Sequence, residues 1–193
     1  MTRAIERVCV YASSSDAVDP AFAEAARELG RGMAARGQTL VYGGGNIGLM
    51  GVVAREIHAG GGHVVGVIPE KLRDLELAYT AADELVVTES MRERKAIMEA
   101  RADAFVALPG GLGTLEEILE VLVLKQLCYH DRPIVFLNTA GIFNSLFQLL
   151  DDLRAGHFVK ESYHALYHVA ANPADVFRHL DTYAPPVPET KLF

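Results

Sequence analysis

Cysteine is scarce in this 193-residue chain: there are two, Cys9 and Cys128, and neither belongs to a CxxC pair. One sits in an apolar run and the other follows one, so no disulfide framework is expected and a reducing compartment fits. Basic residues are also in deficit. Lys and Arg total 18 against 25 Asp and Glu, for a formal net charge of −7. With no basic stripe to offset backbone phosphates, nucleic acid is not an expected partner. A small anion is still admitted, because it needs only a local positive pocket. Long apolar runs are missing as well: none reaches the roughly 18 residues of a membrane helix, and the run in MTRAIERVCVYASS is too short for a signal peptide. The expectation is a soluble, cytoplasmic protein with no membrane partner. HExxH, GxSxG and Cys–His arrangements are absent. Glu161, His164 and His168 have the spacing of one helical face, but no further ligand joins them, and no metal is expected.

What is present is a regular alternation. Half of the residues are apolar, enough for one sizeable core. Val8–Tyr11, Thr39–Tyr42, His63–Ile68, Leu85–Thr88, Phe105–Leu108 and Pro133–Leu137 are short continuous apolar runs, with a further short strand near Tyr167–Ala170. Helical patterns separate them, over 20–35, 49–59, 90–101, from about 114, over 141–154 and over 173–180. Continuous apolar strands are buried on both faces, as in a parallel sheet covered by helices. The fold class predicted is α/β: a Rossmann-like, three-layer α/β/α arrangement with a mainly parallel sheet, as a single domain over residues 1–193. No repeat or low-complexity linker divides it. Periodicity fails only in the excursion from Glu70 to Ala82, which has room to lie over a pocket.

The chain is organised around FVALPGGLGTLEEILEVLV, residues 105–123. Pro109 ends a strand because proline has no amide to give a ladder. Gly110, Gly111 and Gly113 let the backbone turn sharply and bring bare N–H groups near a ligand. A helix starting near Thr114 aims its unpaired amides and positive dipole end at that turn, where a phosphate would sit. Thr114 and Glu117 also have capping-box spacing, so the carboxylate has a structural reading beside a functional one.

A second glycine loop, Gly43, Gly44, Gly45, Asn46, Ile47, Gly48, contains GxGxxG. A dinucleotide fingerprint follows the first strand and needs an acidic residue about twenty positions on. Here the loop follows the second strand and His63 stands where that count ends, so NAD(P) is not expected. In the helix after Ser90, a Ser90–Glu93 capping box fixes the register. Met91 and Met98 then mark the inward stripe, Arg94 and Lys95 flank it, and Arg92 and Glu93 point outward. A cation beside an apolar face needs an anion or access to solvent.

Together these motifs resemble those of the LONELY GUY family, formerly labelled "lysine decarboxylase-like". PGGLGTLEE is similar to its PGGxGTxxE, YGGGNIGLMG to YGGGxxGLMG, MRERK to MHxRK, and YASSSDAVDPAF to YCGSSxGxxPxY. Family members hydrolyse cytokinin riboside 5′-monophosphates to free base and ribose 5-phosphate. The resemblance implies that Arg94 and Glu117 are catalytic. It also implies substrate contacts from Ser14, Gly44, Gly45, Glu76, Lys95, Gly110, Gly111, Leu112, Gly113, Thr114, Leu115 and Glu116. The phosphate is expected on Gly110–Thr114, with no cofactor required. Three departures stand out. Arg92 replaces the histidine of MHxRK, Ala12 and Ser13 replace Cys-Gly, and Leu122 replaces a common threonine, which leaves open a base that is an isoprenoid cytokinin or plain adenine. Family members are at least dimers, so a homodimer or higher homo-oligomer is expected, with the apolar run Val121–Leu127 partly at the contact. The competing class is a non-catalytic nucleotide or cofactor carrier using the same loop.

Overall fold

In the computed structural model, residues 4–75 and 77–186 are described. Seven strands form one parallel sheet: β1 Arg7–Tyr11, β2 Thr39–Tyr42, β3 Val64–Pro69, β4 Glu84–Thr88, β5 Ala104–Ala107, β6 Ile134–Leu137 and β7 His168–Ala170. Their order across the sheet is β4-β3-β2-β1-β5-β6-β7. β5 and β6 are buried at every position, which is why their sequences run apolar without alternation.

Helices cover both faces. On one side α1 Pro20–Ala35, α2 Gly48–Ala59 and α7 Pro173–Thr182 pack Leu29, Met33, Val53, Ile57 and Val176 against Val8, Val10, Leu40 and Val106. On the other, α4 Met91–Arg101, α5 Leu112–Gln126 and α6 Asn144–Ala155 cover Cys9, Val41, Phe105 and Phe136 with Met98, Ile118, Val121 and Phe147. The start of α1 follows from its sequence: Pro20 needs no amide partner at the first position, and Asp19 accepts the Ala21 N–H at 2.8 Å.

Four local expectations are revised. Glu70–Arg73, in the non-periodic excursion, makes a one-turn helix, α3. The helix expected from Gly141 begins at Asn144, because Ala140 and Gly141 have φ of +53° and +72° and turn the chain left-handed first. Asn138 holds that turn, accepting the Phe143 N–H at 2.9 Å and donating to Asn144 at 2.8 Å. His164 and His168 do not share a helix: the first lies in a 3₁₀ turn, Glu161–Leu166, and the second in β7. Finally, α5 starts at Leu112 with Gly111 as its N-cap, so Thr114 lies inside the first turn and forms no capping box with Glu117.

Candidate active site

The strand order reverses at β1, which pairs with β2 on one side and β5 on the other. Loops leaving the carboxyl ends of β1 and β5 therefore diverge there and open a crevice, the place where parallel α/β sheets take their ligands. A cleft of about 450 Å³ occupies it, with Ser13–Ser15 from the β1 loop, Gly43 and Gly45 from the β2 loop, and Gly111–Thr114 from the β5 loop.

The N-termini of α2 and α5 border this crevice, and they are not equivalent. The first amide of α2, at Gly48, donates to Asp16 Oδ1 at 2.7 Å, so the glycine loop after β2 already holds an anion supplied by the chain. Gly48 is also pressed against the serine loop: a Cβ there would lie 2.5 Å from the Ser13 carbonyl oxygen. At α5 no side chain caps the helix. Gly111, Leu112 and Gly113 are exposed, and a Cβ built on either glycine meets nothing within 4 Å. The amides and dipole of the α5 N-terminus are thus open to the cleft, whereas those of α2 are met by Asp16.

At the floor, Arg94 of α4 meets Glu117 of α5, Nη1 to Oε1, at 3.0 Å, with side chains 9% and 8% exposed. The register fixed by the Ser90 cap turns Arg94 inward: Ser90 Oγ accepts the Glu93 N–H at 3.2 Å. The Glu93 carboxylate completes the cap on the Glu89 N–H, at 2.8 Å, instead of on Ser90. Arg94 Nε donates to the Val67 carbonyl at 3.1 Å. Gly43 makes room for the guanidinium, since a Cβ there would lie 1.8 Å from Nη2. Burial pushes the Glu117 carboxyl above its ordinary range, and the Arg94 charge pulls it back. Lys95 adds a weaker pull in the same direction.

Beside this pair, Lys95 lies between Glu116 and Glu120, bonded to the first and 2.8 Å from the second. Its amine is held charged by those carboxylates against the burial that opposes charge.

Of the residues singled out in the sequence, Ser14, Gly45, Arg94, Gly111, Leu112, Gly113, Thr114, Glu116 and Glu117 line the cleft together. Gly44, Lys95, Gly110 and Leu115 stand behind that lining. Gly44 takes φ +72° in the turn, and Gly110 packs on Thr114, where a Cβ would come within 2.0 Å of Oγ1. Glu76 lies outside the described residues. The apolar wall was not legible beforehand: Ile47, Met50, Ile68, Leu72, Leu77 and Met91 line the cleft. Leu72 and Leu77 come from the non-periodic excursion, which is tied down where Ala78 bridges Gly45 and the Asn46 N–H donates to Leu77 at 2.9 Å. Met91, expected on the buried stripe, is 45% exposed, whereas Met98 is fully buried.

Comparison with known proteins shows the family to which the chain belongs. A family model described as "Possible lysine decarboxylase" matches residues 50–180. A probable cytokinin riboside 5′-monophosphate phosphoribohydrolase of Oryza sativa subsp. japonica is 42% identical, over 93% of this chain and 73% of that protein. A cytokinin riboside 5′-monophosphate phosphoribohydrolase of Arabidopsis thaliana is 41% identical, over 93% of this chain and 79% of its own. Among solved structures, the molybdenum cofactor carrier protein of Chlamydomonas reinhardtii has a TM-score of 0.71 at 24% identity, over 93% of this chain and 100% of the other, which is a likeness of fold. With the model spanning most of its length and relatives this close along nine-tenths of it, the chain belongs to the "possible lysine decarboxylase" family, that of the cytokinin riboside 5′-monophosphate phosphoribohydrolases.

Proposed function

We propose that this protein hydrolyses the N-glycosidic bond of purine riboside 5′-monophosphates, cytokinin nucleotides or AMP, to free base and ribose 5-phosphate. The observation that carries the reading is the buried Arg94–Glu117 pair beneath an uncapped helix N-terminus, in a chain 42% identical to a phosphoribohydrolase. The 5′-phosphate sits on the amides of Gly111, Leu112, Gly113 and Thr114, with Ser14 across the crevice. Cleavage between the purine nitrogen and C1′ passes through a cation-like sugar, which a carboxylate stabilises where the positive charge develops. Glu117 has that role and orients the water whose oxygen bonds to C1′. Arg94 holds an electron-rich part of the substrate. Lys95 fixes the Glu116 side of the loop, and the aliphatic wall takes the base.

The single continuous sheet supports reading the chain as one Rossmann-like domain. No helix among the described residues is long and apolar enough to cross a membrane, in keeping with a cytoplasmic enzyme. Leu112 and Val123 on α5 and Leu127 at its C-cap are 86%, 51% and 41% exposed, which supports a homodimer that covers this face. Light scattering on the eluted protein measures that state.

The test is incubation with AMP and with isopentenyladenosine 5′-monophosphate, wild type against Glu117→Gln, following free base by chromatography. Release that requires both the phosphate and Glu117 supports the reading, and the two rates rank the bases. Binding of both nucleotides without release of base would overturn hydrolysis in favour of a carrier.

A further inference from the structure

Arg94 has a neighbour in the apolar wall that takes no part in the bond-breaking step. The Met91 thioether lies 3.8 Å from Arg94 Nη1, the same nitrogen that reaches Glu117. Met91 is the most accessible of the described methionines: it is 45% exposed and lines the cleft, Met50 is half-buried, and Met33 and Met98 are fully buried. It is also the first residue of α4.

We infer that Met91 is an oxidative modification site that switches off nucleotide binding. The oxidant is a peroxide: the sulfur lone pair attacks one peroxide oxygen, an S–O bond forms, the O–O bond breaks and water leaves. Sulfur is oxidised by two electrons and the peroxide is reduced by two. The product converts a weak acceptor into a strong, polar one. A sulfoxide oxygen on Met91 then competes with Glu117 and with ligand for the Arg94 Nη1 protons, because hydrogen bonds to charged donors strengthen with the acceptor. The guanidinium is drawn toward the cleft mouth and away from Glu117. Methionine sulfoxide reductases reverse the lesion, so the change is a switch and not damage alone. The inference rests on the reading that Arg94 faces the bound nucleotide, but its first signature is independent of any ligand.

The experiment exposes the full-length protein to hydrogen peroxide, maps each methionine by peptide mass, and follows the ¹⁵N resonance of the Arg94 guanidinium, assigned with Arg94→Lys. AMP affinity is measured by calorimetry before and after treatment, in wild type and in Met91→Leu. Met91 is expected to gain oxygen before Met50, Met33 and Met98. The Arg94 resonance should shift as it does so, and AMP affinity should fall about tenfold, the loss of one charge-assisted contact. Met91→Leu should keep its own untreated affinity, and reductase should restore the wild type. Oxidised Met91 with an unmoved Arg94 resonance overturns the inference, as does an equal loss of affinity in Met91→Leu. Untreated protein that binds neither AMP nor isopentenyladenosine 5′-monophosphate overturns the proposed function instead, while the mass map and the Arg94 resonance still decide the modification.

Discussion

Arg94 and Glu117 meet at 3.0 Å, one from each of two helices on the same face of the sheet, with both side chains more than nine-tenths buried. Such a pair is asymmetric: removing one partner leaves the other charge buried without compensation, which costs about 3–5 kcal/mol.

That asymmetry gives a stability prediction. Arg94→Met should lower the unfolding free energy at pH 7 by about 3–5 kcal/mol, and adding Glu117→Gln should restore much of the loss. Urea unfolding of the two single variants and the double variant measures the coupling. An Arg94→Met protein as stable as wild type would show that the pair carries no such strain.

On the proposed mechanism, the carboxyl of Glu117 should set the acid limb of activity. Burial raises its pKa, with Arg94 opposing, and the proposed chemistry needs the ionised form. The decline of kcat/KM toward low pH reports the free enzyme, so it should be centred above the ordinary glutamate value of about 4.3. The stability linkage has the other sign. A carboxyl whose folded pKa is raised contributes stability below its unfolded value and loses it as pH rises through the folded one. A pH–rate profile with its acid limb at or below the ordinary value would contradict the burial argument.

Stability and binding should part at the α5 turn. Gly113 lies in the first turn of the helix with open space around its Cβ position. Gly113→Ala should stabilise the fold by about 0.5–1 kcal/mol while weakening AMP, because the methyl group stands in the cradle. Gly110→Ala should do the reverse of stabilising, since its Cβ would collide with Thr114. Thermal melts and AMP calorimetry on both variants decide it. Unchanged AMP affinity in Gly113→Ala would remove the phosphate from this turn.

His130 provides an acid-sensitive contact remote from the cleft. Its Nε2–H donates to the Val121 carbonyl at 2.9 Å, and its Nδ1 accepts the Arg132 N–H at 3.2 Å, which fixes a neutral tautomer. Burial, helped by the Arg132 charge, pushes its pKa down to about 4 from 6.5. A depressed pKa gives stability that is present above the unfolded value and is lost as pH falls toward the folded one. Between pH 6.5 and 4 the wild type should therefore lose more stability than His130→Gln, measured by urea midpoints. Equal losses would mean that His130 is already solvated.

Much of the architecture was written in local pattern. Continuous apolar strands such as Phe105–Leu108 admit only a sheet covered on both faces, and Ser90 with Glu93 fixed the helical register that turns Arg94 inward. The glycines at 110, 111 and 113 announced a sharp strand-to-helix turn because their backbone demands are local. The capping reading of Thr114 failed because Gly111, with nothing to offer but backbone, takes the N-cap and shifts the helix two residues earlier.

By itself, then, the sequence determined the parallel α/β fold, the glycine turn and the two charged residues that face each other. Only the tertiary structure decided which glycine loop is open. Asp16 reaches Gly48 across 32 residues, and nothing in either segment predicts that contact. It exists because the parallel pairing of β1 and β2 brings the loops after them to the same end of the sheet. The aliphatic wall was set in the same way. Leu72 and Leu77 have no period of their own and acquire a place when Gly45 and Asn46 bind the backbone of the excursion. Local propensity fixes what each segment can be, and long-range pairing fixes which of its faces meets the ligand.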